Sequence, residues 1–170
     1  MKINLSQLIA GKVNSINVDF YYTLDNNEIF ESYDIVKVSP LHFFGNIYTK
    51  NEVYYVELDF TGDIIFKCNR CLEEFARKID GHLYTSIITN KENETDENLF
   101  LQGDMIDLSS FIEEAITLSL PMKVLCNDKC KGLCSICGEN LNVKKCNCNK
   151  EKIDPRLEKL KNFFSNNEEV

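Results

Sequence analysis

Residues 54–87 read YYVELDFTGDIIFKCNRCLEEFARKIDGHLYTSI. Tyr54, Val56, Leu58, Phe60, Ile64, Phe66 and Cys68 fall on one face of an extended chain, with Glu57, Asp59, Asp63 and Lys67 opposite. A period of two is the mark of a half-buried strand, because successive side chains point to opposite sides of a sheet. Gly62 marks a bulge or bend that relieves the twist of a long strand. After Cys71 the chain turns, and Phe75, Ile79, Leu83 and Ile87 take the pattern up again. Two antiparallel strands are expected, with Cys68-Asn69-Arg70-Cys71 at the tip between them.

That tip is a C-x2-C pair, and the other six of the eight cysteines lie within residues 126–148, CNDKCKGLCSICGENLNVKKCNC. Two cysteine pairs on short loops, brought together, supply the four sulfurs of a tetrahedral zinc site. The simplest partition makes one local site from Cys134, Cys137, Cys146 and Cys148, where a C-x2-C-Gly knuckle meets a C-x-C return pair. Cys68, Cys71, Cys126 and Cys130 then form a second site, which staples the strand tip to the segment ahead of the knuckle. Disulfides are an alternative that needs an oxidising compartment. A redox-active Cys68–Cys71 pair is another; such a pair usually opens a helix after a strand.

Outward from this region the elements are simpler. Residues 14–24 alternate as a strand, with Ile16, Val18, Phe20, Tyr22 and Leu24 inward and Asn17, Asp19 and Thr23 outward. Asp25-Asn26-Asn27 reads as a turn. A short strand at Ile35–Val38 ends at Pro40, and Leu41, Phe43 and Ile47 share a face in the next. Residues 90–98 are polar and acidic, a flexible connection. A helix is expected over 108–119, with the apolar stripe Leu108, Phe111, Ile112, Ala115 and Ile116. Asp107 caps it, Pro121 ends it, and Glu113 and Glu114 sit on its solvated face. Asp154 and Pro155 start a short terminal helix, and residues 165–170 fray.

The fold class expected is α+β: an antiparallel, twisted or barrel-like β-sheet with one packed helix and a C-terminal zinc-knuckle region. Residues 1–121 form the β-rich part, and 122–164 the cysteine region with its terminal helix, within one compact unit. The 170 residues contain no apolar run near the length of a membrane span. The start, MKINLSQLIAG, lacks a signal peptide's apolar region, so a cytoplasmic location is expected.

The net charge of −8 is unevenly spread. Residues 1–120 carry 9 Lys+Arg against 20 Asp+Glu, net −11, and residues 121–161 carry 10 against 5, net +5. An overall acidic chain does not coat nucleic acid indiscriminately. The basic segment coincides with the cysteines and includes Lys129, Lys131, Lys144, Lys145, Lys150, Lys152 and Arg156. It reads either as an RNA-facing patch or as compensation for the net −2 charge of a four-thiolate zinc site.

No catalytic constellation emerges. His42 and His82 both lie on strands, opposite the inward faces. Gly132 and Gly138 belong to the cysteine loops, and no phosphate-cradling loop is present. All-sulfur zinc sites have no open position and are structural. A non-enzymatic protein with no small-molecule substrate is expected.

Three blocks resemble the YceD family. They are Cys68-Asn69-Arg70-Cys71-Leu72; Leu118-Ser119-Leu120-Pro121-Met122 leading to Cys126; and Cys130-Lys131-Gly132-Leu133-Cys134 with Cys137-Gly138, Leu141-Asn142, Cys146 and Cys148, ending at Ile153-Asp154-Pro155-Arg156-Leu157. The resemblance implies a role in ribosome biogenesis: support of large-subunit (23S) ribosomal RNA synthesis, processing or accumulation. Some family members look to lack the knuckle equivalent to Cys134, Cys137, Cys146 and Cys148, as two separable sites would permit. Ribosomal RNA or a pre-ribosomal particle is the partner implied, with Arg70, Lys129, Lys131, Lys144, Lys145 and Arg156 as contacts. The alternative is a module whose acidic β face receives a basic partner such as a ribosomal protein. The aromatic residues fall mostly on core faces, which gives base stacking little support.

Overall fold

The computed structural model describes residues 1–88 and 99–148. In chain order they form β1 (Lys2–Asn4), α1 (Ser6–Ile9), β2 (Ser15–Tyr22), α2 (Asn27–Ser32), β3 (Ile35–Val38), β4 (Leu41–Lys50), β5 (Val53–Lys67), β6 (Glu74–Ile88), β7 (Leu99–Phe100), β8 (Met105–Asp107) and α3 (Ser109–Ser119). The expected flexible connection at 90–98, the terminal helix and the frayed tail lie outside the described residues.

The 54–87 alternation becomes β5 and β6, paired antiparallel from Tyr54↔Ile87 to Lys67↔Glu74. β5 is central. Its other edge takes β4 over Val53–Thr61 and β3 over Ile64–Phe66. β3 and β4 are split at Pro40, which has no N–H to give a ladder. The register of β5 runs through Gly62 without a shift, so the expected bulge there is corrected. A Cβ on Gly62 would collide with Leu41 Cδ2, so close approach accounts for this glycine. The irregularity falls instead on β3, between Ile35 and Lys37.

The sheet order is β2-β4-β5-β6-β7. All pairings are antiparallel except β6–β7, which is parallel. β2 and β7 do not pair with each other among the described residues, so the sheet is open and the barrel-like expectation is corrected. Closure needs edge strands long enough to meet, and β7 has two residues. β1 and β8 form a separate antiparallel pair. At three residues each they are too short to leave a periodic signal.

The inward faces of β2, β4 and β5 carry Val18, Phe43, Ile47, Leu58 and Phe60, all buried. Phe43 stacks on Phe60 at 4.8 Å and on Phe20 at 5.3 Å. α3 closes this side through Ile112 and Ile116, both fully buried. The N-cap position of α3 falls on Leu108, not on Asp107; Asp107, one residue earlier, still serves the first turn, its Oδ1 accepting from the Ser109 backbone N–H at 3.0 Å and hydroxyl at 2.7 Å. Those bonds hold its carboxyl down at about 2.

Two local readings are corrected. Asn26 does not sit in a simple turn; its side chain caps α2, accepting from Glu28 N and Ile29 N. Glu113 is not simply solvated, because it accepts from Tyr22 Oη at 3.1 Å and Asn26 Nδ2 at 3.0 Å. Burial and then the Glu113 carboxylate push the Tyr22 phenol up to about 12.

Candidate metal centre

β5 ends at Lys67 and β6 begins at Glu74, leaving six residues to reverse the chain. Cys68 N–H donates to Glu73 O at 2.9 Å and Leu72 N–H to Cys68 O at 2.9 Å. The same two bonds recur in the second C-x2-C loop: Cys134 N–H to Glu139 O at 2.8 Å, and Gly138 N–H to Cys134 O at 2.9 Å. The loops Cys68–Glu73 and Cys134–Glu139 are thus two copies of one knuckle. Its fifth position needs a left-handed backbone: φ is +60° at Leu72 and +73° at Gly138. The left-handed conformation costs an L-residue roughly 1–2 kcal/mol, and glycine much less.

A prediction follows for this position. Leu72 is half exposed, so Leu72→Gly loses little burial and should leave stability unchanged or raise it by up to about 1 kcal/mol. Gly138→Ala should cost about 1–2 kcal/mol although nothing lies within 4 Å of the added Cβ. Denaturant midpoints of the metal-loaded protein measure both, and equal losses would contradict the shared geometry.

The eight cysteines gather into two groups of four, each with all its sulfurs within 4.8 Å of one another. One comprises Cys68, Cys71, Cys126 and Cys130; the other Cys134, Cys137, Cys146 and Cys148. In the first, Sγ–Sγ separations are 3.9 Å for Cys68–Cys130 and 3.5 Å for Cys71–Cys126. Four sulfurs about 2.3 Å from one tetrahedral ion stand about 3.8 Å apart. A disulfide requires about 2.05 Å, and all eight cysteines are free thiols. A redox-active C-x2-C pair usually opens a helix, whereas after Cys68–Cys71 the chain enters β6.

Electrostatics within each group point the same way. Burial pushes the Cys68 thiol up, but backbone N–H groups of Cys126, Cys71 and Arg70 overcome it and bring it to about 6. Donation from the backbones of Cys137 and Ile136 brings Cys134 to about 6. The neighbouring sulfur of Cys71 pushes Cys126 up to about 12, and that of Cys137 does the same to Cys148. Four thiolates so close repel one another, and a dication at the centre relieves the repulsion. The donor set and spacing therefore fit a metal ion that prefers sulfur and tetrahedral geometry.

The surroundings tie the groups together. Asn69 N–H donates to Val124 O at 2.9 Å and Leu133 N–H to Arg70 O at 3.0 Å. Arg70 Nη1 donates to Cys130 O at 2.9 Å. Asn142 had no role in the sequence reading. Its Nδ2 donates to Cys130 Sγ at 3.2 Å, and its Oδ1 accepts from Lys131 N–H at 2.7 Å. Asn140, also unassigned, donates to Glu73 Oε1 at 3.3 Å and so touches the first knuckle from the second. The Asn-Leu-Asn run between the cysteines was the available signal, since asparagine side chains satisfy backbone donors in turns.

Lys129 and Lys131 line a shallow groove of about 520 Å³ beside Cys71, Cys126 and Glu73. Lys144 and Lys145 are exposed, two and one residues ahead of Cys146. Lys150, Lys152 and Arg156 lie outside the described residues. His42 and His82 sit on the outward face of the sheet, against Asp19 at 3.0 Å and Asp59 at 2.8 Å. No helix among the described residues is long and apolar enough to cross a membrane.

The fold and site define a class: an α+β protein whose central hairpin tip meets the segment after α3 in one four-cysteine group, with a second four-cysteine group within that segment. The chain belongs to the YceD family, whose model, described as large ribosomal RNA subunit accumulation protein YceD, matches residues 56–164. It is 41% identical over 49 residues to the chloroplastic large ribosomal RNA subunit accumulation protein YCED homolog 1 of Arabidopsis thaliana, covering 29% of this chain and 15% of that protein. It is 24% identical over 155 residues to the Bacillus subtilis protein YlbN, covering 89% and 90% of the two chains. A Mycobacterium tuberculosis protein is 33% identical over 99 residues, 55% of this chain and 47% of its own length. No solved structure matches.

Proposed function

We propose that this protein is a non-catalytic ribosome-biogenesis factor that supports accumulation of large-subunit ribosomal RNA. In this reading two structural zinc ions, one per cysteine group, shape a surface that meets ribosomal RNA or an assembling particle in the cytoplasm. The observation that carries it is the family match across residues 56–164, which spans both cysteine groups. The chloroplastic relatives from Arabidopsis thaliana and Zea mays bear the accumulation name.

Cys68, Cys71, Cys126 and Cys130 hold one ion, and Cys134, Cys137, Cys146 and Cys148 the other. With four thiolates each, neither site offers a position to a substrate, so the metal is a brace and not a Lewis acid. Lys129 and Lys131 over the first group, Lys144 and Lys145 beside the second, and Arg156 present positive charge to phosphates. Arg70 contributes from the strand tip, while its bond to Cys130 O holds the tip in place.

The experiment is binding of in-vitro transcribed large-subunit ribosomal RNA at several salt concentrations. Lys144→Glu with Lys145→Glu should weaken binding and reduce the salt slope by about 2, nearly one unit per lost phosphate contact. Unchanged affinity and slope would remove both lysines from the footprint.

A further inference from the structure

The outward face of the sheet is a second surface, separate from the lysine-bearing cysteine segment. Strand register sets its composition. Tyr48 pairs with Tyr55 across β4–β5, and their rings stack at 5.7 Å. Tyr55 stacks in turn on Tyr84 of β6 at 5.8 Å. A second row runs Tyr21–His42–Phe44, with centroid distances of 4.8 and 5.2 Å. These rings are not covered: Tyr21 is 70% exposed, Tyr84 58% and Phe44 39%.

Each exposed row has carboxylates beside it. Phe44 lies between its cross-strand partners Asp19 and Asp59, and Tyr84 lies opposite Glu57. Asp80 pairs with Thr61 at the same face's end. None of the outward positions from Asn17 to Tyr21, His42 to Tyr48, Tyr55 to Thr61 or Asp80 to Tyr84 is a lysine or arginine. A ring face with a carboxylate next to it is what a guanidinium or ammonium group takes up: the cation stacks on the ring and pairs with the carboxylate.

We propose that this outward face docks an arginine- and lysine-rich polypeptide segment. Charge complementarity selects that occupant. Exposed tyrosines also stack on bases, but Glu57 and Asp80, together with Asp19 and Asp59 on the His42 and His82 rings, leave this face with an excess of carboxylates that repels a phosphate backbone. A second copy of the chain would bring the same carboxylates face to face, which is unfavourable.

The test uses the metal-loaded full-length chain and a fluorescent arginine–glycine repeat peptide as probe. Glu57→Lys with Asp59→Lys should weaken binding by about tenfold or more. Tyr84→Ala, which leaves every charge in place, should weaken it by roughly fivefold through loss of one exposed cation–π contact. Glu28→Lys with Glu31→Lys on α2 changes net charge as much as the first pair and should shift affinity by less than about twofold. Lys144→Glu with Lys145→Glu should not weaken peptide binding, which separates this surface from the RNA-facing one. The proposal is overturned by equal losses from the α2 and sheet-face pairs, by an unchanged affinity in Tyr84→Ala, or by competition at this face from a uridine homopolymer. Sedimentation showing a dimer that Tyr84→Ala dissolves would overturn it in favour of self-association.

Discussion

A strong chelator added to the purified protein is expected to remove two zinc ions per chain and to disorder the segment after α3, while the central sheet persists. Between Leu120 and Cys148 there is no helix or strand among the described elements. The buried side chains there are few: Leu120, Val124, Cys130 and Cys134. So little apolar burial does not offset the ordering entropy of the backbone, roughly 1–2 kcal/mol per residue. The free energy of structural zinc, on the order of 10 kcal/mol or more, is then folding free energy for this segment. Elemental analysis gives the ion count, and hydrogen exchange gives the order. Amides such as Asn69, Leu133 and Cys134, which bond across the loops, should lose protection, while Leu58 and Leu83 in the sheet keep it. Cys134→Ser should cost one ion and spare the Cys68 group; Cys68→Ser should cost the other. One ion per chain would break the assignment of the strand-tip pair to a metal site. Unchanged protection after complete metal loss would show that the segment stands without it.

Phe60→Ala is expected to destabilise the chain by about 3–5 kcal/mol. Phe60 is 1% exposed and stacks on Phe43 at 4.8 Å in the middle of the core. Truncation leaves a cavity that β4, β5 and β6 cannot close without breaking their ladders. Tyr84→Ala, on the outward face of the adjacent strand, should change stability by less than about 0.5 kcal/mol. Thermal unfolding of the metal-loaded protein reads both, at roughly 2–4 °C per kcal/mol for a chain of this size. Comparable losses from the two would mean that the outward face is also covered, which would count against a docking surface there.

The parts legible in the residues are those with a local cause. Alternation from Tyr54 to Ile87 set β5 and β6, and the same rule set β2 and β4, because an extended backbone turns each successive side chain over. The stripe from Leu108 to Ile116 set α3. Cysteine spacing set the knuckles, since two residues are what a loop needs to aim two sulfurs at one point. Spacing suggested the local group Cys134, Cys137, Cys146 and Cys148, whereas Cys68 and Cys71 were set with Cys126 and Cys130 only as the remaining cysteines, a long-range contact that the fold supplies.

Other features have no local signal. Gly62 looked like a bulge in its own strand, and only the position of Leu41 on the neighbouring strand explains it. The parallel pairing of β7 and the β1–β8 ribbon involve segments too short to carry a period. Glu113 read as a solvated helix residue until Tyr22 and Asn26 came to it from the other end of the chain. The sequence by itself determined which residues face inward and which cysteines form knuckles, because both follow from the geometry of a few consecutive residues. Only the tertiary structure decided that the sheet stays open, that Asn140 and Asn142 brace the cysteine loops, and that tyrosines from three strands line up beside carboxylates. Those arrangements depend on strand order and register, which are set by contacts between residues far apart in the chain.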